Sequence, residues 1–206
     1  MQNLQKLARL YAGAMVVNLA MFAIIIRVYT ESFSLVMDPF SWLGRMAALD
    51  GSPNTASFLL FTATILFNIF IWKQILNLIS ESSLWSYQAV RILGYLVLAG
   101  FLLMLFPCDR FDAIHSTGGG FVKGGLWAFS ALMLYRFRDE FNPRAYIILQ
   151  LFLFGSVLFC GVSFLHDSYL KGFSQRPLLL AIITIISICL NAGLKSRAES
   201  AAEINL

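Results

Sequence analysis

Six long apolar stretches, parted by short polar connectors and one long one, set the pattern of the chain. Tyr11 to Ile26 is apolar apart from Asn18 and closes at Arg27, which predicts a first helix over about 10–29. The same reasoning predicts helices over about 56–80, 89–106, 118–135, 145–166 and 177–195. Pro107 stops the third, because it lacks the backbone N–H and its ring clashes with the preceding turn. Pro177 fits the first turn of the sixth, where a missing N–H costs nothing. The connector over 30–55 carries Asp38-Pro39, Gly44 and Asp50-Gly51-Ser52-Pro53, signals that forbid a continuous helix. Its Phe33, Leu35, Val36 and Trp42 predict a segment lying against the membrane surface and folded over the helices.

Runs of this length match the roughly 30 Å hydrocarbon core of a bilayer, which takes about 20 residues of helix to cross. The expected fold is therefore an all-α membrane protein, a single domain over 1–206 built as a bundle of six transmembrane helices. Composition agrees, with 59% hydrophobic and 13% charged residues against about 25% charged in soluble domains. No small-residue cleavage site follows the first run, so it is expected to stay as a membrane helix. An even helix count puts both termini on one side. With the termini cytoplasmic, nine Lys and Arg fall inside and six outside, a positive-inside bias. The net charge of +4 is scattered, so nucleic acid is not an expected partner. Cys108, Cys160 and Cys189 are too few and too dispersed for a disulfide framework.

That topology places nearly every chemically capable residue on the outer face. The densest stretch is Phe106 to Gly120, with Asp109, Arg110, Asp112, His115, Ser116, Thr117 and a glycine triplet. His166-Asp167, closing the fifth helix, falls at the same depth. One reading makes His115, His166 and Asp109 ligands of a divalent metal, since imidazole and carboxylate are the usual donors. A second makes His115 a general base oriented by Asp109, with His166 and Asp167 facing them. Ser116, Thr117, Ser163 and Cys108 are then the available nucleophiles, Ser163 sharing a helix face with His166. A third is anion or lipid head-group recognition by the start of the fourth helix. Ser116 or Thr117 would cap it, Gly119 would allow close approach, Arg110, Lys123 and Arg45 would supply charge, and Ser41 from the long connector is counted with this anion- or lipid-binding set. Against these stand plainer roles: interfacial histidines bonded to loop carbonyls, Gly120 and Gly124 as a helix-packing face, and a snorkelling Lys123. Asn18, Asn68, Gln150 and Asn191 are expected to act as interhelical glue.

Asp38-Pro39-Phe40-Ser41-Trp42-Leu43-Gly44, then Pro53-Asn54, Phe58, Phe106-Pro107-x-Asp109 and His115, resembles a family of six-helix prokaryotic membrane proteins. That family is known as domain of unknown function 998 and is distantly similar to the Frag/DRAM/Sfk group, which is linked to lipid handling. The resemblance spans about 11–194 and implies importance for Ser41, Gly44, Asp109 and His115. It implies a six-helix fold in a prokaryotic inner membrane but no reaction. The expected function is thus an integral membrane protein with an outward His/Asp site that binds or modifies a lipid or amphiphile. The alternative is a structural or electron-transfer subunit of a membrane complex, with haem between the two histidines or a partner membrane subunit or second copy.

Overall fold

The computed structural model describes residues 2–80, 87–166 and 168–204. Among them the chain forms six α-helices: α1 (Gln2–Val28), α2 (Thr55–Ser80), α3 (Tyr87–Leu103), α4 (Asp112–Arg136), α5 (Pro143–Leu165) and α6 (Lys171–Ile204). Four of them, α1, α2, α5 and α6, are long and apolar enough to cross a membrane, and α3 holds a shorter apolar stretch over Gln88–Leu103. The turn expected between α2 and α3 falls mostly at 81–86, outside the described residues.

Neighbours in sequence are neighbours in space, with α4 also packing on α6, and a core of Leu, Ile, Val and Phe runs through the bundle. The closest crossing joins α3 to α4. A Cβ on Gly118 would lie 2.6 Å from the Gly100 carbonyl oxygen, and one on Gly100 would lie 2.8 Å from the Gly118 carbonyl oxygen. Small residues here let two backbones touch, which is how helices associate where no hydrophobic effect drives them together. The expected packing face is a different one. Gly120 and Gly124 have nothing within 4 Å, so this pair packs no helix within the described chain.

Three helix starts differ from expectation, and the first helix begins at Gln2 rather than at about residue 10. The fourth helix begins at Asp112 rather than Gly118, because Asp112 supplies the negative charge that a helix N-terminus favours. Ser116 and Thr117 therefore sit inside α4 rather than capping it. Their hydroxyls bond back to the Asp112 carboxylate at 3.2 Å and the Ala113 carbonyl at 2.7 Å. The sixth helix begins at Lys171, leaving Pro177 two turns in. The added turn is held by the Ser174 N–H on the Leu170 carbonyl and the Ser174 hydroxyl on the Lys171 carbonyl. By contrast, α5 starts as local rules dictate, with Asn142 accepting from the Ala145 N–H and Pro143 in the first turn.

Between α1 and α2 the long connector folds back on the bundle as a cap. It contains a 3-10 turn over Phe40–Gly44 and a tight turn at Gly51 (φ +85°), braced by the Ala48 N–H on the Ser52 carbonyl.

Candidate functional site

The cap is fastened at both edges by polar groups from the sequence. The Asp109 carboxylate, in the α3–α4 connector, accepts the Met46 N–H at 3.0 Å and the Ala47 N–H at 3.2 Å. Partial burial alone would raise its pKa, but the two backbone donors and nearby Arg45 outweigh this and hold the carboxyl below its usual range. Beside it the Cys108 thiol donates to the Ser41 carbonyl at 3.1 Å, and burial pushes that thiol up to about 11. On the bundle side, the Ser57 hydroxyl donates to the Leu43 carbonyl at 2.7 Å and the Asn54 amide to the Arg45 carbonyl at 2.9 Å. Gly44 lies flat on Phe61: a Cβ there would fall 2.6 Å from the ring.

Phe61 in turn stacks on His115, with ring centroids 6.2 Å apart and planes at 30°. The residues singled out by resemblance, Ser41, Gly44, Asp109 and His115, thus fall into one continuous set of contacts between the cap and the bundle. His115 is 2% exposed and its Nδ1 lies 2.7 Å from the Phe106 carbonyl oxygen. A carbonyl only accepts, so Nδ1 carries the proton and Nε2 presents a bare lone pair. Among the described residues Nε2 has no hydrogen-bond partner. This is the tautomer of a general base or metal ligand, fixed by a backbone carbonyl rather than by Asp109. The expected pairing of Asp109 with His115 is corrected accordingly, because both oxygens of that carboxylate serve the cap.

Other expected members lie apart. His166 is exposed as the C-cap residue just past the end of α5, whereas Ser163, three residues earlier, is buried. A haem between His115 and His166 would have to join a residue enclosed under Phe61 to one on the surface. Asp167 lies outside the described residues. Among the described residues no group of three His, Cys, Asp or Glu is placed to hold a metal. Arg110 is exposed, Gly119 meets only the Lys123 side chain, and Arg45 turns back to bond the Ala47 carbonyl at 3.0 Å. Lys123, now three turns into α4, places Nζ 4.3 Å from the Phe164 ring. Charge expected to gather at one anion site is therefore dispersed.

A second feature was not foreseen. A cleft of about 590 Å³ runs between α1 and α6, with α2 and α4 behind it. Its walls are almost wholly apolar, and its polar groups are few. Tyr11 donates to the Ile183 carbonyl at 3.3 Å across the cleft. Asn18 and Asn68 exchange amide bonds at 3.0 and 2.8 Å, and each also donates to the carbonyl four residues before it. These groups are satisfied within the protein, as glue between helices. At the end of the cleft nearest the cap stand Leu35, Phe40 and Arg176. The Arg176 guanidinium lies 4.1 Å from the Phe40 ring centroid and donates to the carbonyls of Leu35, Asp38 and Gly172. Among the described residues it forms no ion pair. In sequence Arg176 counted only toward topology, because nothing in a linear pattern shows that it ends a cleft.

No family model, curated protein or solved structure matches the chain.

Proposed function

We propose that this chain is an integral membrane protein that binds a membrane amphiphile inside its bundle. The observation that carries the reading is the α1–α6 cleft: apolar walls, a volume of about 590 Å³, and an arginine at one end. Ligand pockets of about 300–1,000 Å³ enclose single small molecules, and apolar walls with few fixed polar groups are their usual lining. A cleft between transmembrane helices takes its ligand from the bilayer.

The rest of the expected picture joins this proposal. Both termini are cytoplasmic, the cap and Arg176 face outward, and the protein resides in a prokaryotic inner membrane as a relative of the family it resembles. Support comes from the charge bias of the connectors and from the contacts among Ser41, Gly44, Asp109 and His115. In this reading those residues seal the outer end of the bundle. Binding, rather than turnover, is the activity the geometry supports best, since His115 lacks a carboxylate orienter and its chemistry-bearing neighbours are dispersed.

Extraction and mass spectrometry of lipid retained after purification in mild detergent tests the reading. Ala23→Trp places an indole in the open side of the cleft, where Ala23 is exposed. Wild type is expected to retain a defined lipid at close to one per chain and the variant to lose it. Equal retention by a folded Ala23→Trp protein would overturn the assignment of the cleft.

A further inference from the structure

The cap carries a concavity of its own, separate from the cleft. Its lining is mixed: Glu31, Asp38 and Asp50 stand beside Phe33, Trp42 and Leu49. Tyr29, 7% exposed, is its most buried wall. Local bonds explain why the carboxylates converge there. The Glu31 carboxylate accepts the Asp50 N–H at 2.6 Å and so joins the two arms of the connector. The Asp38 carboxylate accepts the Ser34 N–H at 2.7 Å, and the Asp50 carboxylate accepts the Ser52 N–H at 2.8 Å. Each bond takes one lone pair of a group that has about four, so capacity to accept remains. Among the described residues none of the three carboxylates is ion-paired. Two cations temper their charge. Arg176, bonded to the Asp38 carbonyl, offsets part of the Asp38 charge, while Arg45 lies near Tyr29 and Asp109. Glu31 and Asp50 keep the larger share.

Tyr29 is the sign of a missing ligand. It follows the end of α1, its ring edge-on to Phe33 with centroids 6.0 Å apart. Its hydroxyl is buried and has no hydrogen-bond partner among the described residues. Buried hydroxyls are almost always partnered, so the position calls for a group that these residues do not supply. The Tyr29 phenol is pushed up first by burial and then by Glu31, with Arg45 opposing and Asp38 adding to the rise. Its oxygen therefore lies within electrostatic reach of the acidic groups.

The lining selects the class of ligand. A metal ion needs several donors about one centre, and among the described residues no group of three His, Cys, Asp or Glu is placed to hold one. Aromatic rings beside carboxylates suit an organic cation, whose charge is drawn to ring faces and whose carbons cover the apolar wall. An ammonium with N–H groups also donates to the carboxylates and to the Tyr29 oxygen, which a quaternary ammonium cannot do. We infer that the cap binds a small primary amine, its ammonium held by Glu31, Asp50 and the Tyr29 hydroxyl and its apolar body lying on Phe33, Trp42 and Leu49. The site is independent of what fills the cleft.

Calorimetric titration of the full chain in phosphatidylcholine nanodiscs tests this, with phenethylamine as the probe. Phenethyl alcohol, the N-trimethyl derivative of the amine, and calcium serve as comparisons. The amine is expected to bind saturably and roughly tenfold or more tighter than the alcohol or the trimethyl derivative. Glu31→Gln and Asp50→Asn keep an acceptor oxygen for the Asp50 and Ser52 N–H groups, and each is expected to weaken binding roughly tenfold. Tyr29→Phe, which keeps the ring, is expected to weaken it roughly fivefold. Slow maleimide labelling of Cys108 in each variant shows that the cap is still in place, and the wild-type comparisons hold whether or not a variant opens it. Nanodiscs containing phosphatidylethanolamine separate the two sources of such an amine. Competition assigns it to a lipid head group and undiminished binding to a free amine, and both support the site. No saturable binding of the amine, equal binding of the alcohol, or full affinity in Tyr29→Phe and Glu31→Gln would overturn the site. Equal binding of the trimethyl derivative would overturn the role of the N–H donors, and tighter binding of calcium would overturn the amine in favour of a metal.

Discussion

Replacing Asp109 with alanine is expected to unlatch the cap. Its carboxylate is the acceptor for two consecutive backbone N–H groups, Met46 and Ala47, at 3.0 and 3.2 Å. Hydrogen bonds to a charged group contribute about 1.5–3 kcal/mol each when buried. Asp109 is half-exposed, so the pair together is set at about 2 kcal/mol. The remaining fasteners, Ser57 to Leu43 and Asn54 to Arg45, stay in place, so the loss appears as local opening rather than unfolding. At 1.36 kcal/mol per tenfold, the open fraction rises about 30-fold. Cys108 reports it directly. While its Sγ donates to the Ser41 carbonyl its pKa stands at about 11, so little thiolate exists near neutral pH. Once the cap lifts, the thiol returns toward the ordinary value of about 8.5 and reacts with a maleimide. Labelling of Cys108, with Cys160 and Cys189 replaced by alanine, is expected to run about 30-fold faster in Asp109→Ala. Equal rates would show that the Asp109 bonds do not hold the cap.

Further outcomes follow from the same contacts. Because Asp109 ionises below its usual range, its contribution is complete above about pH 4 and is lost as pH falls through the folded pKa. Limited proteolysis of the cap is expected to accelerate on that acid limb in wild type, and the limb should vanish in Asp109→Asn. Gly118→Ala drives a Cβ into the Gly100 carbonyl and is expected to cost about 1–3 kcal/mol in thermal unfolding. Gly124→Ala, with nothing within 4 Å, is expected to be neutral or stabilising by up to about 1 kcal/mol, and equal losses for the two would contradict the packing described. Asn18→Ala strands the Asn68 amide and is expected to cost about 1 kcal/mol, with Asn18→Leu/Asn68→Leu losing less than the two single changes added together.

Helix number and class were legible because apolar runs the length of a membrane span admit few other structures. The boundaries were less so. Ser116-Thr117-Gly118 has the residue types of a cap and a break, yet contacts with α3 at Gly118 carry the helix straight through. Asp109 and His115 stood out in the sequence, but their partners did not. Asp109, beside Arg110 in the chain, gives no sign that it reaches the 46–47 backbone. The cleft was invisible for a plainer reason. It is a space between α1 and α6, bounded by ordinary apolar residues, and only the arrangement of helices creates it.

Its occupancy is the claim on which the account rests. A membrane lipid with a photoreactive group midway along an acyl chain, activated in bilayers and mapped by peptide mass spectrometry, locates the occupant directly. The account predicts labels on the facing stripes of α1 and α6, at residues such as Asn18, Phe22, Leu180 and Ile183. They should disappear in Ala23→Trp. Labels confined to outward residues of α5 such as Leu151 and Leu158, as surrounding bilayer lipid would give, would contradict it.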